Sequence, residues 1–156
     1  MKINRRHSRE LCLQVLYSYI MTLDPIDQII NNIKNANIKM IEEYDEEFLN
    51  ILVIKTIKNM EMIDDKIKQR AKNWNFDRIA LIDKLILRQS IAELLFCEDV
   101  PPRVTIAEAI ELGESYSTDD SHIFINGMLD RIYHDFIEEG KLMPEIDFKE
   151  KKEENK

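Results

Sequence analysis

Apolar residues recur at helical spacing along nearly the whole chain. Between Asn4 and Met21, Cys12, Val15, Leu16 and Tyr19 fall at i, i+3, i+4 and i+7, and Leu13 and Ile20 widen the stripe. This predicts a helix buried over much of its circumference, with Asn4 as its N-cap. Asp24-Pro25 reads as a cap followed by a proline at the first helical position. The stripe Ile26, Ile29, Ile30 and Ile33 comes next and fades around Asn35–Asn37. From Phe48, the residues Leu52, Ile54, Ile57, Met60, Ile63 and Ile67 continue the pattern to about Ala71, with a break near Asn59–Met62 that splits it in two. The helix expected from Asp77 to about Phe96 is apolar nearly all round and therefore central.

Within that central run Asp83, Lys84, Arg88 and Glu93 must each reach water, a side-chain partner or another protein. Arg88 is read as a paired structural arginine. Asp83 and Lys84 mark the edge where the helix meets solvent or a partner. Pro101-Pro102 forces an extended link, and Thr105 and Glu108 form a T-x-x-E capping box for a helix to about Tyr116. The last helix is expected to start near Asp119–Ser121 and to end at Gly140, with Gly127 allowing close packing. The acidic run Glu42 to Glu47 is a solvated connection or a first turn, and without a glycine it makes no calcium loop. Trp74 reads as a core or loop anchor.

Only 3 glycines and 4 prolines in 156 residues support an all-α fold. Six or seven helices in one bundle, or in two small helical bundles sharing the central helix, fit the pattern. Residues 1–140 are taken as one domain, and 141–156, ending in KEKKEENK, as a charged disordered tail. The net charge of -8 excludes a protein that coats nucleic acid with its whole surface. It leaves room for a local basic site, because charge is screened over about 8 Å at physiological ionic strength. Cys12 and Cys97 lack metal or disulfide spacing and read as buried hydrophobes. No apolar run approaches the roughly 20 residues of a membrane span. The basic N-terminus leads into an amphipathic segment rather than a signal peptide, so a cytoplasmic location is expected.

His7, His122 and His134 are scattered, no glycine-rich phosphate loop occurs, and no cofactor is implied. Recognition is left. Arg5, Arg6 and Arg9, with Lys2, crowd the end of the first helix, where the helix dipole favours acids. Either an anion such as phosphate docks there, or the arginines pair with acids elsewhere. RNA binding would also use an exposed aromatic ring for stacking. Phe124, just past the capped start DDS, is the candidate, with a core role as the alternative.

The runs RRHSRELCLQVLY, DKLILRQSIAELLF, VPPRVTIAEAIELGESY and DDSHIFINGMLD resemble the NusB family of transcription antitermination factors, in the family's order and over most of the chain. The resemblance implies the two-bundle arrangement and a non-enzymatic role. It further implies an RNA-binding surface of Lys2, Arg5, Arg6, Arg9, Ser121 and Phe124, reading single-stranded boxA-like RNA in ribosomal RNA transcripts. It implies a small-subunit ribosomal protein, acting as NusE, as a partner bound through Asp83 and Lys84. An RNA polymerase antitermination complex is the wider setting, and the free protein is a monomer or homodimer. Gly113 stands where the family usually has alanine, and His7 and Ile123 where relatives can carry a basic residue. Two alternatives stay open: a helical protein-interaction scaffold without RNA binding, and an accessory module of the kind found in ribosomal RNA methyltransferases.

Overall fold

The computed structural model describes residues 4–36, 43–71 and 75–144. Among the described residues there are seven α-helices: α1 (Arg5–Thr22), α2 (Ile26–Ala36), α3 (Glu46–Lys58), α4 (Met60–Arg70), α5 (Leu81–Phe96), α6 (Pro102–Tyr116) and α7 (Ser121–Glu138). A 3-10 turn, Phe76–Arg78, precedes α5. Lys2, Trp74 and residues 145–156 of the C-terminal tail lie outside the described residues, as does Glu42 of the acidic run.

α5 is the axis. It packs against α1 and α3 on one side and against α4, α6 and α7 on the other, and α2 closes on α1. The two-bundle arrangement with a shared central helix is therefore the observed one. Leu85, Ile86, Leu87 and Ile91 of α5 are completely buried and join both sides into one continuous core. A helix apolar all round is stable only when surrounded, and α5 is.

The charged residues of α5 each find a partner inside the chain. Arg88 holds Asp64 of α4 with two hydrogen bonds of 2.7 and 2.9 Å, the structural pairing expected of it. Glu93 holds Arg9 of α1. Lys84 sets its ammonium over the Phe76 ring, 4.5 Å from the centroid. Asp83 corrects the sequence reading. It is only 7% exposed, and its carboxylate accepts hydrogen bonds from Ser117 (2.6 Å) and Ser121 (3.0 Å), so it is not a solvent-facing edge.

Helix ends also depart from the local signals. Asn4 caps α1 as expected, accepting from the His7 amide at 3.1 Å. Asn59 marks the break between α3 and α4. Gly140, at φ +71, closes α7 with its amide on Ile137, while the Lys141 amide reaches back to Phe136. Asp77, however, lies in the 3-10 turn, and α5 starts at Leu81 without a side-chain cap. Thr105 and Glu108 form no capping box. Pro102 opens α6 one turn earlier, which frees both side chains for partners on other helices.

The glycines exchange roles. Gly127 has open space where a Cβ would stand. At Gly113 a Cβ would come within 2.8 Å of Ile125 Cδ1 and 3.6 Å of the His122 nitrogen. Gly113 is thus the close contact between α6 and the start of α7.

Candidate nucleic-acid interface

The first turn of α1 is fastened to the start of α3. The Ser8 hydroxyl donates to the Asp45 carbonyl at 2.9 Å and accepts from the Asp45 amide at 2.8 Å. Asp45 also caps α3 through the Phe48 amide. On this platform the three arginines reach three depths. Arg9 is innermost, its side chain 7% exposed, with bonds of 2.7 and 3.1 Å to Glu93. Glu93 accepts the Thr105 hydroxyl as well. The Gln89 amide nitrogen donates to the Arg9 carbonyl at 3.1 Å, and Gln89 Oε1 has no hydrogen-bond partner among the described residues. Arg9 is therefore not an available phosphate contact. Drawing it away would strand Glu93 as a buried unpaired charge.

Arg5 and Arg6 are the accessible pair, with side chains 37% and 58% exposed. Arg5 lies over the Phe48 ring, 4.6 Å from its centroid, and reaches Asp45 at 3.3 Å and Asp99 at 2.9 Å. Arg6 presents its fork to Glu108 of α6, with Nε–H and a terminal N–H donating to the two carboxylate oxygens at 3.0 Å each. Those bonds, and then the charge of Glu108, hold the Arg6 guanidinium pKa above its ordinary value. Of the two sequence alternatives, pairing with acids elsewhere describes the arginines in this structure.

The second half of the site lies where α7 begins. A cavity of about 680 Å³ opens between the 3-10 turn, the start of α5 and the start of α7. Arg78, Ile79, Asp83, Ser121, Ile123 and Phe124 are among its lining residues. Phe124 is half-buried and packs against the core, so its ring is neither fully buried nor fully exposed. Its neighbour Ile123 is 64% exposed. Ser121 is buried, with Thr118, Ser117 and Asp83 around its hydroxyl. Lys84 does not line this cavity.

The fold thus sorts the candidates into two groups. Arg5, Arg6 and Arg9 cluster at the start of α1, and Asp83, Ser121 and Phe124 gather around the cavity. α6 links them: its Glu108 reaches Arg6, and its Gly113 packs on the His122–Ile125 segment.

Sequence reasoning missed Arg78, which the 3-10 turn brings to the same cavity as Phe124. It also missed an apolar groove of about 360 Å³ lined by Leu13, Tyr17, Ile33, Ile82 and Tyr116. Tyr17 and Tyr116 are exposed there, and Tyr116 donates to Glu10 at 2.7 Å. Burial and then that bond push its phenol up to about 12. Tyr17 and Met21, at i and i+4 and both exposed, were the available signal for a second stripe on α1. Among the described residues no group of three or more His, Cys, Asp or Glu could hold a metal ion, and no helix is long and apolar enough to cross a membrane.

Residues 6–134 match the model of the NusB family. A curated relative from Chloroherpeton thalassium, the transcription antitermination protein NusB, is 39% identical over 142 residues, covering 91% of this chain and 67% of that protein. The structure of T. maritima NusB superimposes with a TM-score of 0.73 at 34% identity, over 86% of this chain and 93% of that one. A crystal structure of antitermination factors NusB and NusE in complex with dsRNA gives 0.72 at 25% identity, over 84% and 96%.

Proposed function

The chain belongs to the NusB family, and on that premise we propose that it is a transcription antitermination factor, not an enzyme, that binds RNA together with the ribosomal protein NusE. The observation that carries this reading is the pairing of two accessible guanidinium forks at the start of α1 with a half-buried phenylalanine lining an open cavity at the start of α7. Single-stranded RNA is held by such a combination of phosphate contacts and aromatic stacking. The likeness to a NusB that crystallised with NusE and dsRNA supports the two partners, RNA and NusE.

In finer terms, the RNA is a boxA-like element of ribosomal RNA transcripts, and the complex acts with RNA polymerase. Arg5, Arg6 and Phe124 make the direct contacts, Lys2 adds charge, and Ser121 holds the segment that carries Phe124. The buried Asp83 supports the cavity wall through Ser117 and Ser121 rather than forming a rim charge, and NusE meets α5 where Lys84 follows it. A basic ribosomal protein suits a chain of net charge -8 and supplies further phosphate contacts.

Titration of a boxA-like single strand and of its duplex, with and without NusE, tests the reading. Tight binding of the single strand with NusE present is the expected result. With two arginine contacts instead of three, their share of the affinity falls about 7-fold between 50 and 200 mM salt. No binding of either RNA in the presence of NusE would overturn the reading.

A further inference from the structure

Glu108 occupies the Arg6 fork as a phosphate would. Both oxygens accept, each at 3.0 Å, from Nε–H and a terminal N–H. Carboxylate and phosphate both fit this side-on geometry, so they compete for the same two N–H groups. The two partners differ in freedom. Arg6 has a side chain 58% exposed, whereas that of Glu108 is 16% exposed on α6. When Arg6 turns to another anion, Glu108 stays behind as a close negative charge.

The surroundings add to this effect. Glu111 and Glu10 also act on Arg6 through their charges. Arg5 is likewise shared between Asp45 and Asp99. The stretch that reads as basic in sequence is therefore neutralised in the fold.

We infer that Glu108 is an internal competitor for the Arg6 fork, an affinity-setting residue that RNA phosphate must displace. This rests on the RNA-binding reading above. An exposed ion pair is worth little to the fold, so displacement is feasible. RNA releases counterions as it enters, which a lone anion does not match. Weak or misplaced polyanions fail to displace Glu108, and an RNA also held at the cavity succeeds.

The test measures single-stranded RNA affinity of the NusE complex at fixed salt for wild type, Glu108→Gln, Glu111→Gln, Arg6→Ala and the Arg6→Ala, Glu108→Gln double variant. Glu108→Gln keeps the side chain's shape and removes its charge. It is expected to tighten binding about 5-fold, the upper range for an exposed pair. Glu111→Gln, which removes an equal charge that makes no bond to Arg6, is expected to tighten it less than about 2-fold. In the Arg6→Ala background the Glu108→Gln gain disappears. Equal gains at 108 and 111, no gain at 108, or a gain that survives Arg6→Ala would each overturn the competitor role while leaving RNA binding intact. Failure of the wild-type complex to bind RNA would overturn both.

Discussion

Arg9 and Arg6 stand three residues apart on α1 and each grips a carboxylate with two hydrogen bonds. Their surroundings give the two pairs opposite meanings. Arg9–Glu93 is sealed between α1 and α5, with Thr105 and Phe48 around it. Arg6–Glu108 bridges α1 and α6 at the surface. In the interior neither partner can leave, because the other would remain as an uncompensated buried charge. At the surface the arginine side of the pair already faces water, and the pair can open to a ligand. Similar geometry is a structural clamp in one place and an exchangeable contact in the other.

The comparison is broken most sharply at Arg9. Arg9→Ala strands Glu93, and stability should fall by about 3–5 kcal/mol. Urea denaturation measures it. A loss under about 1 kcal/mol would show that burial does not separate the two pairs. Replacing Arg9 and Glu93 together by apolar residues should recover much of the loss, since the cost lies in the unpaired charge.

Much of this was legible in the sequence, and one part was legible but overlooked. The apolar stripe of α1, the all-round apolar α5, the break at Asn59 and the stop at Gly140 all follow from spacing. Arg9 itself lies at i−3, i−4 and i−7 from Cys12, Leu13 and Leu16, on the buried face. Its charge suggested the surface while its register placed it inside. The capping box at Thr105 failed for a different reason. A capping box is satisfied within its own turn, but the start of α6 at Pro102 left Thr105 and Glu108 free to reach Glu93 and Arg6. Asp83 likewise gained its partners from Ser117 and Ser121, 34 and 38 residues away. Local signals cannot report contacts made by tertiary packing. Gly113 and Gly127 show the same limit: helical period places both, and only the approach of α7 decides which one is crowded.

Phe124 sharpens the comparison as an intermediate case, half-buried where Arg9 is buried and Arg6 exposed. A fully buried phenylalanine costs about 3–5 kcal/mol when cut to alanine. Phe124→Ala should cost about 1–3 kcal/mol, because part of the ring already faces the cavity. If the ring also stacks on a base, the same variant loses about 1–3 kcal/mol of RNA binding per folded molecule. Melting and RNA titration on one preparation separate the two effects. A melting drop with unchanged affinity would leave Phe124 as packing alone.

Arg6→Ala is the smallest effect on the fold and completes the contrast. The pair it breaks faces solvent on its arginine side, and removing that side chain opens the half-buried Glu108 carboxylate to water. Its stability cost should stay within about 0.5 kcal/mol, near the resolution of a denaturation curve. The same substitution removes one of the two accessible guanidinium forks. The salt slope of RNA binding should therefore shrink by about 0.7, the value of one phosphate contact on a single strand. Arg6→Lys should restore the slope but not the full affinity, since an ammonium keeps the charge and loses the two-pronged geometry. A stability loss at Arg6 approaching that at Arg9 would place the two pairs in one structural class. An unchanged slope in Arg6→Ala would mean that Glu108 keeps the fork even when RNA is bound.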